Sequence, residues 1–183
     1  MRKAVWTVIA AGALACGFIG LKAHAFAAAD GPLQPGSVAP SFSLPSQTDA
    51  MVSLKDFKGK YVVLYFYPKD MTSGCTKEAH NFERDKDKYA AANAVVLGVS
   101  FDTVESHKTF CTKDSLSFRL LADPDGKVIG AYGVPTMARN DMKYASRDTF
   151  LIGPDGKVLK FWEVKDIDNH SDEVLAAIAE AKK

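Results

Sequence analysis

Cys75 stands in the run Tyr67-Pro68-Lys69-Asp70-Met71-Thr72-Ser73-Gly74-Cys75-Thr76, between an apolar, strand-like stretch (Tyr61 to Tyr67) and a charged stretch with helical patterning. A sulfur in the first turn of a helix faces backbone N–H groups that lack intrahelical partners and the positive end of the helix dipole, and both favour thiolate over thiol. The thiolate is the nucleophile. An unperturbed cysteine, with a pKa of about 8.5, is only a few per cent ionised at neutral pH, so a placement that favours the anion marks a candidate reactive thiol. Thr72, three residues earlier, is spaced to bring a hydroxyl beside the sulfur, and Pro68 fixes the backbone where strand gives way to loop.

The elements that must hold this sulfur can be read on either side of it. Tyr61-Val-Val-Leu-Tyr-Phe-Tyr67 is apolar throughout and ends at Pro68, the pattern of a central strand buried on both faces. From Ser73 or Gly74 to about Ala92 the composition predicts one long helix, with Ala79, Phe82 and Tyr89 inward. Ala94 to Ser100 is a second buried strand, Thr103 to Lys113 a second helix, and Phe118 to Leu121 a short strand. Asp123-Pro-Asp-Gly126 and Gly153-Pro-Asp-Gly156 are turns, the second closing a hairpin of Asp148 to Ile152 and Val158 to Val164. Short strands at Phe42 to Leu44 and Val52 to Leu54 and a closing helix from Ser171 to Lys182, with Val174, Leu175 and Ile178 inward, complete the pattern. This order implies an α/β domain, a mixed sheet with helices on both faces, which describes a thioredoxin-like fold.

The chain has 183 residues, 47% apolar and 25% charged, which suits one globular domain with a sizeable core. Residues 1 to 25 read differently: Arg2 and Lys3 precede an apolar run from Ala4 to Leu21, followed by Ala23-His24-Ala25. This is the pattern of a secretory signal peptide, with cleavage after Ala25 or after Ala27. Two alternatives stand beside it: a retained anchor, since the run is nearly long enough to span a bilayer, and a lipoprotein site at Cys16. Residues 26 to 36 are small, Pro- and Gly-rich and expected to be a flexible lead-in, leaving 37 to 183 as the folded domain. Of 23 basic residues, Arg2, Lys3 and Lys22 would leave with the signal, so 20 face 22 acidic ones and no basic patch suggests nucleic acid. Only Cys75 and Cys111 would remain. Two thiols are few for a disulfide scaffold, even in an oxidising compartment, and fit a redox role better.

Pro68-x-x-x-Thr72-x-x-Cys75 matches the peroxiredoxin active-site pattern. Tyr65 to Asp70 with Gly74 to Ala79 resembles the bacterioferritin comigratory protein (PrxQ) subfamily, as do Pro35 to Phe42, Lys55 to Lys60 and Arg147 to Ile152. The resemblance covers about residues 34 to 180. It implies a thioredoxin-like fold and a thiol peroxidase acting on hydrogen peroxide and organic hydroperoxides. Cys75 would be the peroxidatic cysteine, with Thr72 contacting sulfur and peroxide, Arg147 stabilising the thiolate and polarising the peroxide, and Pro68 shielding the sulfur. His80 departs from the pattern, because many members carry a resolving cysteine there. Cys111, 36 residues after Cys75 and inside the second predicted helix, becomes the replacement, as in some members of the subfamily. A disulfide needs its Cα atoms within about 7 Å, so the Cys75 helix start, the Cys111 helix, or both are expected to unwind. The partners implied are a peroxide and a dithiol reductant protein of thioredoxin type, with no cofactor, no metal, no stable membrane association after cleavage, a monomeric state and an exported, periplasmic location.

Simpler readings accompany these. Phe110-Cys111 on an amphipathic helix is also what core packing looks like. Glu78 either supports the first turn of its helix or orients Arg147. His107 and Cys111 share a helix face and, with Cys75 and His80, offer metal-type ligands, yet no cysteine pair has the short spacing of a zinc motif. A thiol–disulfide oxidoreductase or a copper-handling protein on the same fold is the competing function, and the lack of a second cysteine near Cys75 argues against both.

Overall fold

A computed structural model describes residues 29–183. The expected signal segment and Cys16 lie outside the described residues. In chain order the elements are β1 (Ser43–Pro45), β2 (Met51–Ser53), a 3-10 turn (Leu54–Phe57), β3 (Tyr61–Phe66), α1 (Ser73–Arg84), α2 (Lys86–Ala91), β4 (Ala94–Ser100), α3 (Val104–Asp114), β5 (Arg119–Ala122), α4 (Lys127–Ala131), β6 (Thr136–Arg139), β7 (Met142–Ala145), β8 (Asp148–Ile152), β9 (Val158–Glu163) and α5 (Ile167–Ala181). The main sheet runs β5-β4-β3-β8-β9. β3, β4 and β5 are parallel, and β8 and β9 add to them antiparallel.

β3 lies mid-sheet with all six residues buried, as its uninterrupted apolar run predicts. Its alternation divides the core. Tyr61, Val63, Tyr65 and the following Tyr67 pack with side chains of α1, α2, α3 and α5; Val62, Leu64 and Phe66 pack with Phe42, Val52, Phe57 and the α4 segment. Helices therefore cover both faces, the mixed α/β, thioredoxin-like arrangement expected.

Two local expectations are corrected, and two features go beyond them. The long helix divides at Asp85, whose buried carboxylate accepts from Arg84 (2.5 Å), Lys88 (2.8 Å) and the Ser171 hydroxyl (2.8 Å) and draws the backbone out of helical register. Asp123 does more than close a turn: its carboxylate takes the N–H groups of Lys127, Val128 and Ile129 and so starts α4. α5 begins at Ile167 rather than Ser171, because Asp166 caps it through the N–H of Asp168 (3.0 Å). The β6–β7 ribbon was not anticipated. It turns on Asn140-Asp141, both at positive φ (49° and 60°), as a two-residue hairpin requires.

The lead-in segment makes backbone hydrogen bonds to the domain, Ala29 to Gly130, Leu33 to Tyr132 and Gly36 to Val158. The Gly31 carbonyl lies 1.7 Å from where a Cβ on Gly133 would sit, so this approach requires glycine. Among the described residues no helix is long and apolar enough to cross a membrane.

Candidate active site

Where β3 ends, Tyr67 and Pro68 lead into a loop that delivers Cys75 as the third residue of α1. Thr72 is the N-cap, extended at φ −84° and ψ 149°, and the first bond of the helical ladder runs from the Thr76 N–H to the Thr72 carbonyl at 2.8 Å. The N–H groups of Ser73, Gly74 and Cys75 therefore precede the ladder and point from the helix start, where negative charge is favoured. Cys75 is buried, with 2% of its surface exposed, and is not disulfide-bonded.

Arg147, just before β8, reaches the sulfur from the neighbouring strand: its Nη2 donates to Cys75 Sγ at 3.3 Å. Its Nη1 donates to Glu78 Oε2, one turn along α1 from Cys75. Glu78 is 1% exposed and its second oxygen has no partner, so burial pushes its carboxyl up to about 7 against the opposing pull of the Arg147 charge. Burial by itself would lower Arg147, but the charges of Glu78 and Cys75 outweigh it and raise the guanidinium above its ordinary value. Sequence left Glu78 open between helix support and orienting Arg147; its contacts are those of the orienting residue. Gly74 makes room for this arrangement, because a Cβ there would lie 3.3 Å from Arg147 Nη2.

Thr72 is exposed, and its hydroxyl donates to the Lys69 carbonyl at 3.0 Å rather than to the sulfur. That bond fixes the hydroxyl hydrogen and leaves the oxygen free to accept. Pro68 is half-buried and lines a cavity of about 340 Å³ with Lys69, Phe101, Asp102 and Met142.

The loop itself is anchored by Asp70, a residue that spacing alone does not mark. Its carboxylate accepts from Tyr67 Oη (2.7 Å), Ser106 Oγ (2.7 Å) and His107 Nδ1 (2.8 Å), and its N–H donates to Asp102 Oδ2 (2.9 Å). These bonds hold Met71 in the left-handed region, φ 58°, immediately before the Thr72 cap.

Cys111 lies in the last turns of α3, 8% exposed, in the same apolar cluster as Cys75 and unbonded to it. Burial, followed by the negative charges of Asp70 and Glu83, pushes its thiol up to about 12. His80, in the position expected to hold a cysteine, is exposed and pairs with Asp114 at the end of α3 (3.2 Å). Among the described residues no cluster of His, Cys, Asp and Glu is arranged to hold a metal ion.

The AhpC/TSA family pattern matches residues 35–161. A putative peroxiredoxin bcp of Coxiella burnetii is 43% identical over 149 residues, covering 80% of this chain and 99% of that protein. Among solved structures, the peroxidoxin BcpB of Mycobacterium tuberculosis superposes with a TM-score of 0.77 at 32% identity, covering 82% of this chain and 99% of the other. The bacterioferritin comigratory protein of Xanthomonas campestris, studied for its alkyl peroxide reduction activity, gives 0.72 at 32% identity over 78% and 92% of the two chains. Two structures of Xanthomonas campestris peroxiredoxin Q carry single cysteine-to-serine changes at positions 36 residues apart (84 − 48). The chain belongs to the AhpC/TSA family and, within it, to the peroxiredoxins of the Bcp/PrxQ branch, which are thiol-dependent peroxidases.

Proposed function

We propose that Cys75 is the sulfur that attacks peroxide in this chain and that Cys111 resolves it. The observation that carries the first half is the Arg147 guanidinium, donated to the Cys75 sulfur at 3.3 Å and held there by buried Glu78. The ionised sulfur attacks one peroxide oxygen; the S–O bond forms, the O–O bond breaks, and the departing oxygen leaves with the electron pair as hydroxide or alkoxide and then takes a proton. Arg147 and the N–H groups at the helix start are the donors aimed at that developing charge. The Thr72 oxygen, its own hydrogen committed to Lys69, accepts from the peroxide hydroxyl. Pro68, at the end of β3, limits solvent access to the sulfur. Burial of Cys75 to 2% exposure suits a small peroxide terminus and disfavours the oxidoreductase reading, in which a protein disulfide must reach the sulfur.

Resolution by Cys111 draws on its separation from Cys75 (111 − 75 = 36), which equals that of the two substituted cysteines in the Xanthomonas protein. Disulfide formation then requires part of α3 or α1 to unwind. The reductant is a thioredoxin-type dithiol protein, and the enzyme works as an exported monomer after loss of residues 1 to 25. The family match beginning at residue 35, beyond the Arg2-Lys3, apolar run and Ala-x-Ala pattern, supports a separable leader.

Peroxide consumption with dithiothreitol as reductant tests the first half. Cys75→Ser should reduce it to the uncatalysed background, and activity retained in that variant would exclude Cys75 as the nucleophile.

A further inference from the structure

Behind the active-site loop lies a buried polar group that peroxide attack does not use. His107, in the first turns of α3, is 0% exposed. Its Nδ1 lies 2.8 Å from Asp70 Oδ2 and 3.3 Å from Tyr67 Oη. Asp70 already accepts the hydroxyl hydrogens of Tyr67 and Ser106, so its carboxylate acts as an acceptor and Nδ1 is the nitrogen that carries the ring hydrogen. In the neutral ring this leaves a bare lone pair on Nε2, and Nε2 is buried with no partner. An oriented imidazole with a carboxylate on one nitrogen and an empty acceptor on the other is the arrangement that makes histidine a proton acceptor.

A candidate donor lies one turn along the same helix. Residues four apart on a helix share a face, with Cβ atoms about 5–6 Å apart, and the residue four beyond His107 is Cys111. Burial holds the Cys111 thiol protonated, and the negative charges nearest it, Asp70 and Glu83, oppose its ionisation further. A thiol in that state does not attack a sulfenic acid unless a base removes its proton.

We propose that His107, oriented by Asp70, accepts the Cys111 thiol proton in the step that forms the Cys75–Cys111 disulfide. This rests on Cys111 being the resolving residue. The balance is complete without another reactant. The S–H proton passes to His107 Nε2, the Cys111 sulfur forms the S–S bond, and the S–O bond of the Cys75 sulfenic acid breaks. The departing hydroxide takes up the proton from the imidazolium, directly or through solvent, to leave water. Cys111 sulfur is oxidised as it gives up the electrons that reduce Cys75 sulfur. Transfer occurs while α3 is still formed, before Cys111 swings away, with the ring held in place by the contact of its Nδ1 with Asp70. The titratable groups around the pair are Asp70 from the loop, with Asp102 behind it, Tyr65 from β3 and Tyr67 just after it, and Glu83 from α1.

The test separates sulfenic acid formation from disulfide formation by stopped flow with one equivalent of hydrogen peroxide across pH 6 to 9, on wild type, His107→Asn and Cys111→Ser. Asn keeps an amide donor toward Asp70 and removes Nε2. The first phase should stay within about twofold of wild type, while the second falls by about 10²-fold, the usual contribution of a positioned base, and rises about tenfold per pH unit as for an unassisted thiol. Wild type should instead level off within this range. A second phase in His107→Asn with wild-type rate and pH profile overturns the proposal. If the variant slows both phases, the wild-type profile decides: a plateau supports the base, and a rise with hydroxide through pH 9 overturns it. Cys111→Ser is the control for the underlying reading. Persistent sulfenic acid there, with normal resolution in His107→Asn, refutes the base alone, whereas a disulfide still formed in Cys111→Ser refutes the resolving role itself.

Discussion

Arg147 carries two contacts, one to the Cys75 sulfur and one to Glu78, so the geometry of one depends on the other. Arg147→Ala removes the main donor to the developing charge, and the rate of Cys75 oxidation should fall about 10²–10³-fold, as for loss of an oxyanion donor, with the disulfide-forming phase unchanged. Stopped-flow measurement of the two phases checks this. Gly74→Ala is subtler. The added methyl would meet Nη2 at 3.3 Å and Ile167 Cδ1 at 3.5 Å, so the guanidinium must give way, and the same first phase should slow while Cys75 remains in place. At this scale sequence was informative where chemistry follows spacing: Pro68, Thr72, Cys75 and the helix start. His107 was weighed only as a metal-type ligand and its pairing with Asp70 was not read, because a buried carboxylate–imidazole pair has the same letters as a solvated one, and only the fold brings residues 37 positions apart to 2.8 Å.

Among the elements, α3 is the one that must give up a buried side chain if Cys111 resolves Cys75. Three of its side chains are buried, His107, Phe110 and Cys111, and one of them must leave if Cys111 is to bond Cys75. Few buried contacts mean a low cost of local opening. Amide hydrogen exchange should therefore accelerate across Lys108–Asp114 on oxidation, while the first turn, tied to the loop through Ser106 and His107, keeps its protection. Equal protection of the whole helix in both redox states would contradict an unwinding step at α3. α4 offers the contrasting case. Asp123→Ala strips the acceptor from three N–H groups, two of them buried, and should cost about 2 kcal/mol of stability by denaturant unfolding. The buried strands and the 148–163 hairpin were legible because apolar runs and Gly-Pro-Asp-Gly turns encode them locally. α4 and the β6–β7 ribbon were not: one is five residues long and capped by a carboxylate read as part of a turn, and the other has almost no buried face to create a pattern.

For the molecule as a whole, two buried groups near the site make stability depend on pH in opposite senses. Glu78 titrates at about 7 in the fold against 4.5 for a free carboxyl, so the folded state binds more protons between those values and this contribution to stability falls as pH rises from 4.5 to 7. His170 is lowered to about 4 by burial and then by Arg147, from 6.5, so its contribution is present above 6.5 and is lost as pH falls toward 4. Glu78→Gln removes the first and leaves the second. Its stability should consequently rise more steeply with pH between 5 and 7 than that of wild type, measured as the urea midpoint at each pH. The division of the sheet into two apolar faces follows directly from the alternation in Tyr61–Tyr67, and the fold class was readable from the order of strands and helices around that strand. The relation between Cys75 and Cys111 is the part that spans the molecule, and intact mass reports on it most directly. After one equivalent of peroxide, wild type should lose two hydrogens and Cys111→Ser should instead gain one oxygen at Cys75; wild type that gains an oxygen while both thiols stay unlinked would contradict the account.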